Sequence, residues 1–459
     1  MGNGAGAGLG SEVSRIAAIT AAAILSIVLS TGQVFAATYR WNADADGSWT
    51  APGNWTLQSG TPNGLGYPNA IDDVAELTDA ITADRVITIP DGVTITIGGL
   101  LLDDDNNYTI ASGTGLLVFD NVGTSTPLTV TSLNGDGAHT IGVVVQLNQH
   151  LELTTTSSGL LTIARGITQS GGTRNISIST DSGAVRLAPD VNNAHTGSTL
   201  VLAGSLELAG TAGAQAIVGP LTIGGGAQTA TVKLIASHQI ASTATVTVNA
   251  NGVLDMNGQS DTMNLENVIS GTVTIGTGTL TTSGVLNMTG ASITTTGAGQ
   301  LIPGGTLWSH AAAVPSTITG TVNLNGNGRS FNPEAGTAEP DMIVDGQILN
   351  GGFGKIGAGT LRLTGPGNNT ITSANAWDGI LELAKPAGVI SLSSSINLGN
   401  TFVQDGAPIL RVITSEQIAD TATVSMVIDG RLQVNGSGIT ETIAQLSICL
   451  LYTSPSPRD

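Results

Sequence analysis

The sequence predicts an all-β solenoid, in which short strands wind into stacked coils around one continuous core. Three observations support this fold class: apolar residues alternate with a period of two, glycine and asparagine interrupt the alternation at short intervals, and a long segment occurs twice. The chain has 459 residues with 63 glycines, and 40% of it is hydrophobic although only 3% is aromatic and 10% is charged. Aliphatic strands joined by tight turns account for this composition, whereas a disordered linker would be less hydrophobic.

The alternation is clear in VTVNANGVLDMNG, residues 246–258, and in GTLRLTG, residues 359–365. Successive side chains of a strand point to opposite faces, so one set of residues is predicted to lie inside and the other outside. Arg362 is predicted to point outward. The residues predicted to point inward are Val246, Val248, Leu254, Leu361, Leu363 and Leu381. After residue 36 no long stretch has the 3.6-residue period of a helix.

The internal repeat is long and collinear. HQIASTATVTVNANGVLDMNG, residues 238–258, aligns without gaps with EQIADTATVSMVIDGRLQVNG, residues 416–436. Upstream segments align at slightly smaller offsets, as loop insertions between fixed coils would produce. The chain is therefore predicted to hold two copies of one module, at about 145–320 and 322–446, within a solenoid over residues 76–448. At about 22 residues per coil, the mature chain would form about 19 coils.

Residues 351–385, GGFGKIGAGTLRLTGPGNNTITSANAWDGILELAK, support a family resemblance. Closely spaced glycines and a lysine precede T-L-x-L-x-G, then Asn, a Thr-rich stretch and G-x-L. This segment resembles the passenger-associated strand repeat of bacterial autotransporters, although the usual Asn-Thr-Tyr-Thr-Gly is degraded here. With weaker matches elsewhere, the resemblance covers about two thirds of the chain. It implies a right-handed parallel β-helix on a secreted bacterial protein, and it does not specify a ligand.

Residues 1–36 have the pattern of an export signal. Arg15 precedes the weakly polar to apolar run IAAITAAAILSIVLS, and Val34 and Ala36 occupy the small-residue positions of a cleavage site. The apolar run is shorter than the about 20 residues of a membrane span. Cleavage near Ala37 is predicted, with an uncleaved anchor as the alternative. The mature protein is then expected outside the cell or on the outer surface of a diderm bacterium.

The segment after the signal, residues 37–75, is predicted to form a small aromatic-rich cap. Five of its residues are aromatic, namely Tyr39, Trp41, Trp49, Trp55 and Tyr67. A solenoid needs its first coil covered, so burial of these rings is favoured over the alternative, a platform on which sugars stack.

Two acidic segments near this end are predicted to be turns. NADADG, residues 42–47, begins like a calcium loop, but Gly53 stands where that loop needs Glu, so a turn is favoured. DDD, residues 103–105, is predicted to be a solvated turn.

Lys355 among glycines raises the question of a phosphate-binding loop. Such a loop needs the lysine after its glycines and a helix behind it, whereas here the lysine comes first and a strand is predicted to follow. A turn between coils is therefore favoured.

Charge restricts the partners of the chain. The formal net charge is −19, which disfavours nucleic acid and anionic membrane surfaces, and insertion of the mature segment into a membrane is not predicted. An extracellular polysaccharide or the surface of a host or neighbouring cell remains a candidate partner. The only cysteine, Cys449, lies near the end, so the rest of the chain has neither disulfides nor thiolate ligands.

No catalytic, cofactor-binding or metal-binding residue is predicted. The histidines show no metal-ligand spacing, and the carboxylates are scattered; the histidines are His139, His150, His195, His238 and His310. The sequence therefore predicts a non-catalytic, secreted or cell-surface β-helical protein with an adhesin-like structural or binding role. The alternative is a β-helix lyase or hydrolase acting on polysaccharides, because such sites assemble from distant coils.

The last segment, CLLYTSPSPRD at 449–459, breaks the pattern. Pro455 and Pro457 cannot continue a sheet ladder, whereas the first copy continues with further strands. The segment reads like one frame of a transposase sequencing adaptor, so we expect it to be a sequencing artefact on a truncated reading frame. Amplifying the source locus tests this: genomic DNA encoding Cys449 to Asp459 and a stop codon would contradict it.

Overall fold

A computed structural model describes residues 36–122, 128–132, 137–155, 158–211, 213–399, 407–427 and 429–449. Apart from Ala36, the predicted export signal lies outside the described residues. So does the predicted artefact, apart from Cys449, which ends the last strand and is exposed.

The described chain is all-β, with one short 3-10 helix at Pro52–Asn54. Every strand pairing is parallel except that of the first strand with the third. The strands are β1 Thr38–Trp41, β2 Gly47–Ser48, β3 Trp55–Ser59, β4 Val74–Thr78, β5 Arg85–Thr88, β6 Thr94–Ile97, β7 Gly99–Asp103, β8 Tyr108–Phe119, β9 Leu128–Ser132, β10 Ala138–Leu147, β11 Leu151–Thr155, β12 Leu160–Ile163, β13 Ile167–Gln169, β14 Ile176–Leu187, β15 Thr199–Leu208, β16 Leu221–Ile223, β17 Ala230–Leu234, β18 Thr245–Val248 and β19 Gly252–Asp255. They continue as β20 Asp261–Ile269, β21 Thr272–Gly276, β22 Thr279–Thr282, β23 Leu286–Thr289, β24 Ser292–Thr295, β25 Gln300–Ile302, β26 Leu307–Ser309, β27 Ser316–Asn323, β28 Gly328–Pro333, β29 Met342–Lys355, β30 Thr360–Thr364, β31 Thr370–Ala376, β32 Ile380–Leu383, β33 Ile396–Leu398, β34 Ile409–Val412, β35 Thr423–Val427, β36 Arg431–Val434 and β37 Gln445–Cys449.

The strands wind into coils with three sheets. β4, β5 and β6 form one coil, and β7 pairs with β4 while β8 pairs with both β5 and β6. Later coils repeat this arrangement, which confirms the predicted parallel β-helix. The sheet that begins with β1, β4 and β7 is called the first sheet below, and the sheet that begins with β2 and β5 is called the second.

The solenoid has about 16 turns, fewer than the predicted 19. Coil length explains the difference. Paired residues are only 19 positions apart at Leu254 and Val273 but 31 apart at Ile110 and Ile141. Turns between sheets absorb most of these extra residues, and register shifts within strands, as between Gly142 and Val144, absorb others.

The core is a continuous set of aliphatic columns. All six residues predicted to point inward are at most 1% exposed. Leu361 is paired with Leu381, which is paired with Leu410 on the following coil. Because the same face of each strand meets the coils above and below, no single coil buries its own apolar surface.

Truncation of one core residue tests this packing. Leu363 is 1% exposed, so Leu363→Ala is expected to destabilise its coils by about 2–5 kcal/mol, as buried leucine truncations do. Thr372 is exposed on the next strand, β31, and Thr372→Ala is expected to change stability by less than about 0.5 kcal/mol. Thermal unfolding of both variants provides the comparison, and equal losses would contradict the inward assignment of Leu363.

The aromatic segment is buried. Tyr39, Trp41, Trp49 and Trp55 are at most 6% exposed, and Tyr67 packs half-buried against the core. The Trp55 ring lies 5.2 Å from that of Trp41 and 4.9 Å from that of Trp49. Sugars therefore cannot stack on these four rings, and their burial agrees with the interpretation favoured from the sequence. β3 pairs antiparallel with β1, so it covers the edge of the first rung.

The calcium-like segment binds the next coil instead of forming a metal loop. Asp44 accepts hydrogen bonds from Thr82 N at 3.0 Å and from Arg85 Nη2 at 2.7 Å, and Asp46 accepts one from Val86 N at 2.9 Å. Hydrogen bonds from Thr82, and then from Arg85, lower the pKa of Asp44 to about 2. These contacts therefore agree with the predicted turn and not with a calcium loop.

Candidate functional site

The two copies of the repeat carry the same buried amide contacts. Asn193 accepts a hydrogen bond from Ile167 N at 2.8 Å and donates to Ala216 O at 2.7 Å. Its counterpart Asn369 accepts from Ile348 N at 2.8 Å and donates to Ser391 O at 2.8 Å. Each asparagine therefore joins three successive coils where the strand ladder is interrupted.

A second pair of amides stands at the turns. Gln239 and Gln417 are fully buried, and each donates through Nε2 to backbone carbonyl oxygens of the preceding coil and of its own turn. Gln239 N donates to Asp261 at 2.9 Å, and Gln417 N donates to Glu441 at 2.8 Å. Burial raises the pKa of both carboxyl groups, while these hydrogen bonds oppose the rise. The contacts are therefore structural in both copies.

Arg362 belongs to a row of charged side chains on the outside of the coils. It points outward as predicted, but it is half-buried and forms an ion pair with Glu382, whose side chain is only 4% exposed. Glu382 also binds Arg411 at 3.1 Å, on the next coil. The first copy contains the equivalent pair, Arg186 with Glu207 at 2.6 Å. These ions lie directly across paired strands, where opposite charges stabilise a sheet.

Lys355 is completely buried and binds backbone oxygens. Its Nζ donates to Ile356 O at 3.1 Å, Gly357 O at 2.6 Å and Asp378 O at 2.9 Å. Burial lowers its pKa to about 7, against the charges of Asp378 and Asp341. Carbonyl oxygens occupy all three donor positions of the ammonium group, and β30 follows the glycines. The structure therefore confirms that the segment around Lys355 is a turn between coils and not a phosphate-binding loop.

Lys385 plays the same role at another corner, and the sequence interpretation did not detect it. Its Nζ donates to Gly346 O, and to Thr364 O and Gly367 O at 3.1 Å each. Burial lowers its pKa to about 8, and the charge of Asp345 opposes this shift. The equivalent position in the first copy is Gly210, so the repeat itself contained no signal for this contact.

Four carboxylates meet at a corner between the first and second sheets; this acidic corner consists of Asp79, Asp103, Asp104 and Asp105. The predicted solvated turn is wrong for Asp104, which is 7% exposed. Burial, and then the charges of the other three aspartates, raise the pKa of Asp103. Asp104 Oδ1 accepts from Asn106 N at 2.9 Å, whereas no partner among the described residues reaches its buried Oδ2.

His139 lies beside the acidic corner. Its Nδ1 accepts a hydrogen bond from Tyr108 N at 3.2 Å, so its Nε2 carries the proton of the neutral ring. Burial lowers the pKa of His139 to about 4, although the charge of Asp104 opposes this shift. Tyr108 Oη donates to Thr78 O at 3.2 Å. A carboxyl group with a raised pKa beside other carboxyl groups is an arrangement used in acid–base catalysis, so this corner is the strongest candidate for a reactive site.

The other histidines lie apart from this corner. His195 is buried near Thr199, and His150 accepts from Asn175 N at 2.9 Å. His238 is exposed, and both it and its counterpart Glu416 have positive φ, at 59° and 55°. His310 forms an ion pair with Glu334 at 3.3 Å.

Within the described ranges, no three side chains of His, Cys, Asp or Glu are arranged as metal ligands. No helix in the same part of the chain has the length and apolar character of a membrane span. No protein-family model, curated protein or solved structure matches the chain.

Proposed function

We propose that this protein is a non-catalytic β-helical protein of the bacterial exterior, with an adhesin-like structural or binding role. The resemblance of residues 351–385 to autotransporter passenger repeats supports this proposal, as does the signal-like segment at residues 1–36. A parallel β-helix occurs in both enzymes and non-enzymes, so the fold alone does not decide between them.

The observation that carries the proposal is how the chain uses its buried ionisable groups. Lys355 and Lys385 bind backbone oxygens, Asp341 accepts from Thr360 N at 2.7 Å, and Glu382 is shared between two arginines. A catalytic site keeps such groups available to a substrate, whereas here they join one coil to the next. The arrangement favours a scaffold whose outer faces carry the structural or binding role.

Activity and location test the proposal. Purified residues 37–448 are expected to release no products from pectin, alginate or xylan, measured as reducing ends and unsaturated sugars. The full chain, expressed in a diderm bacterium, is expected to lose its first 36 residues and to become sensitive to external protease. A variant lacking residues 16–30 is the control and should stay inside. Turnover that one carboxylate substitution abolishes would contradict the non-catalytic role.

The acidic corner supports the second candidate, a polysaccharide lyase or hydrolase. If that candidate holds, Asp103→Asn should abolish turnover, because the substitution removes the carboxyl group with the raised pKa. Asp91 is an exposed acidic control from another turn, and Asp91→Asn should leave turnover intact. Loss of activity in both variants would indicate damage to the fold and not a catalytic role.

A further inference from the structure

The two tryptophans that remain outside the N-terminal core lie on the same outer face. Trp41, Trp49 and Trp55 are buried, whereas Trp308 is half-buried and Trp377 is 37% exposed. Both belong to the first sheet, where Trp308 lies in β26 and Trp377 directly follows β31. A chain with only five tryptophans therefore places two of them on the outside of one sheet.

The two residues occupy one row, three rungs apart. Trp308 pairs with Asn332 of β28. The row continues through Ile356, whose N donates to Phe331 O at 2.9 Å, and reaches Trp377, whose N donates to Lys355 O at 3.0 Å. Rungs stack about 4.8 Å apart, so the two Cα positions are about 14 Å apart along the stack. We name these four residues the tryptophan row.

Trp377 lies against the sheet because the residue beneath it is glycine. A Cβ on Gly354 would stand 3.1 Å from Trp377 Cζ3, closer than ordinary contact, and 3.4 Å from Cη2. The ring therefore rests on the backbone of β29, with more than a third of the residue left to solvent. The sequence interpretation assigned this glycine only to the repeat pattern.

Polar groups hold Trp308 in place at the other end of the row. Its Nε1 donates to Glu334 Oε1 at 2.9 Å, and the His310 ring stacks on it at 5.6 Å and 21°. His310 Nε2 lies 3.3 Å from Asn287 Oδ1. Burial alone would raise the pKa of Glu334. The hydrogen bonds donated by Trp308, Ala311 and His310 outweigh burial, so the pKa of Glu334 is lowered. A fixed aromatic ring amid amide, imidazole and carboxylate groups suits a ligand with both apolar and hydroxyl surfaces.

We propose that the tryptophan row binds a neutral polysaccharide whose chain runs along the stack and contacts both indole rings. Sugar rings present C–H groups on their faces and hydroxyl groups at their edges, which matches indole faces flanked by polar side chains. The net charge of −19 and the ionised Glu334 disfavour an acidic polysaccharide. This proposal names a ligand class for the binding role proposed above. It rests on that role, because the face must lie outside the cell to meet glycans.

Affinity electrophoresis tests the row. Residues 37–448 are run through gels containing xylan, galactomannan, mixed-linkage β-glucan or dextran, with alginate as the acidic comparison. At least one neutral polysaccharide is expected to retard the protein, and alginate is not. Trp308→Ala and Trp377→Ala should each weaken that retardation about tenfold or more, the scale of truncating a central tryptophan. Val191 is 60% exposed and lies outside the row, so Val191→Ala is the matched control.

The outcomes separate this proposal from the proposed function. Retardation by no neutral polysaccharide, or undiminished retardation of both tryptophan variants, overturns the tryptophan row. Attachment of the protein to cells in that event leaves the adhesin-like role intact on another surface. Turnover of a glycan, combined with tryptophan-dependent binding, instead overturns the non-catalytic role and keeps the row. Circular dichroism and thermal unfolding of each variant separate lost binding from lost folding.

Discussion

Lowering the pH from 7 to 4 is expected to destabilise the coils around His139 and His195 by about 3 kcal/mol for each histidine. Both rings are completely buried, and burial lowers the pKa of each from 6.5 to about 4. The unfolded chain therefore binds more protons than the folded chain between these two values. Stability is fully present above about pH 6.5 and falls as the pH decreases towards 4.

The surroundings of each ring explain why protonation is unfavourable. Protonating His139 Nδ1 would place a proton against the donating N–H of Tyr108. The charge of Asp104 favours the protonated ring but does not compensate for its burial. His195 has only the hydroxyl of Thr199 within hydrogen-bonding distance of its Nε2, at 3.3 Å. Neither ring therefore has a hydrogen-bond acceptor placed to stabilise a second proton.

Comparing variants across pH isolates the histidines from other groups. Asp261 and Glu441 have raised pKa values, so they favour the folded state at low pH and oppose the effect. The contributions of these two carboxyl groups persist in His195→Phe. The loss of folding stability between pH 6.5 and 4 should therefore be about 3 kcal/mol smaller in this variant than in the unsubstituted protein. Denaturant unfolding at both pH values measures it, with the exposed His238→Phe as the control. An unchanged pH dependence in His195→Phe would contradict the prediction.

Replacing Lys385 with methionine is expected to destabilise the surrounding coils by about 3–5 kcal/mol, because three buried carbonyl oxygens lose one shared charged donor. Methionine fills a similar volume but donates no hydrogen bond. The carbonyl oxygens of Gly346, Thr364 and Gly367 would then be buried without the donor that they share. Each buried, unpaired polar group costs about 1–3 kcal/mol.

A lysine on the outer face provides the control. Lys233 is half-exposed in β17, and Lys233→Met is expected to change stability by less than about 0.5 kcal/mol. Amide hydrogen exchange across β30 and β32 locates the loss in Lys385→Met, because stability in a solenoid is a sum of neighbouring contacts. Similar protection of these strands in both lysine variants would contradict a structural role for Lys385.

The sequence predicted the coils well because the core depends on a local pattern. Leu361 and Leu363 alternate with polar residues, and that alternation alone determines which face is buried. The amide contacts of Asn193 and Gln239 recur at Asn369 and Gln417, so the repeat marked the positions although not their chemistry. Coil number was wrong because turn length varies without changing the strand pattern.

The chemistry-bearing groups were harder to predict because burial at corners has no period. Asp104 lies in a run of three aspartates that looks solvated, yet the chain turns it inward while its neighbour Asp105 is exposed. Lys385 has no counterpart in the first copy that would draw attention to it. The pairing of Trp308 and Trp377 in one row depends on the lengths of the intervening coils, which the alternation does not specify.

The parallel stacking has a mechanical consequence. Hydrogen bonds between rungs run along the axis of the stack, so a force applied to the two chain ends detaches the outermost rungs first. Beyond the first coil, a coil that detaches releases between 19 and 31 residues of chain. Fully extended, such a coil adds about 60–110 Å to the contour length. Under tension the described solenoid should therefore lengthen stepwise, dissipating work at each detachment while the remaining coils stay folded.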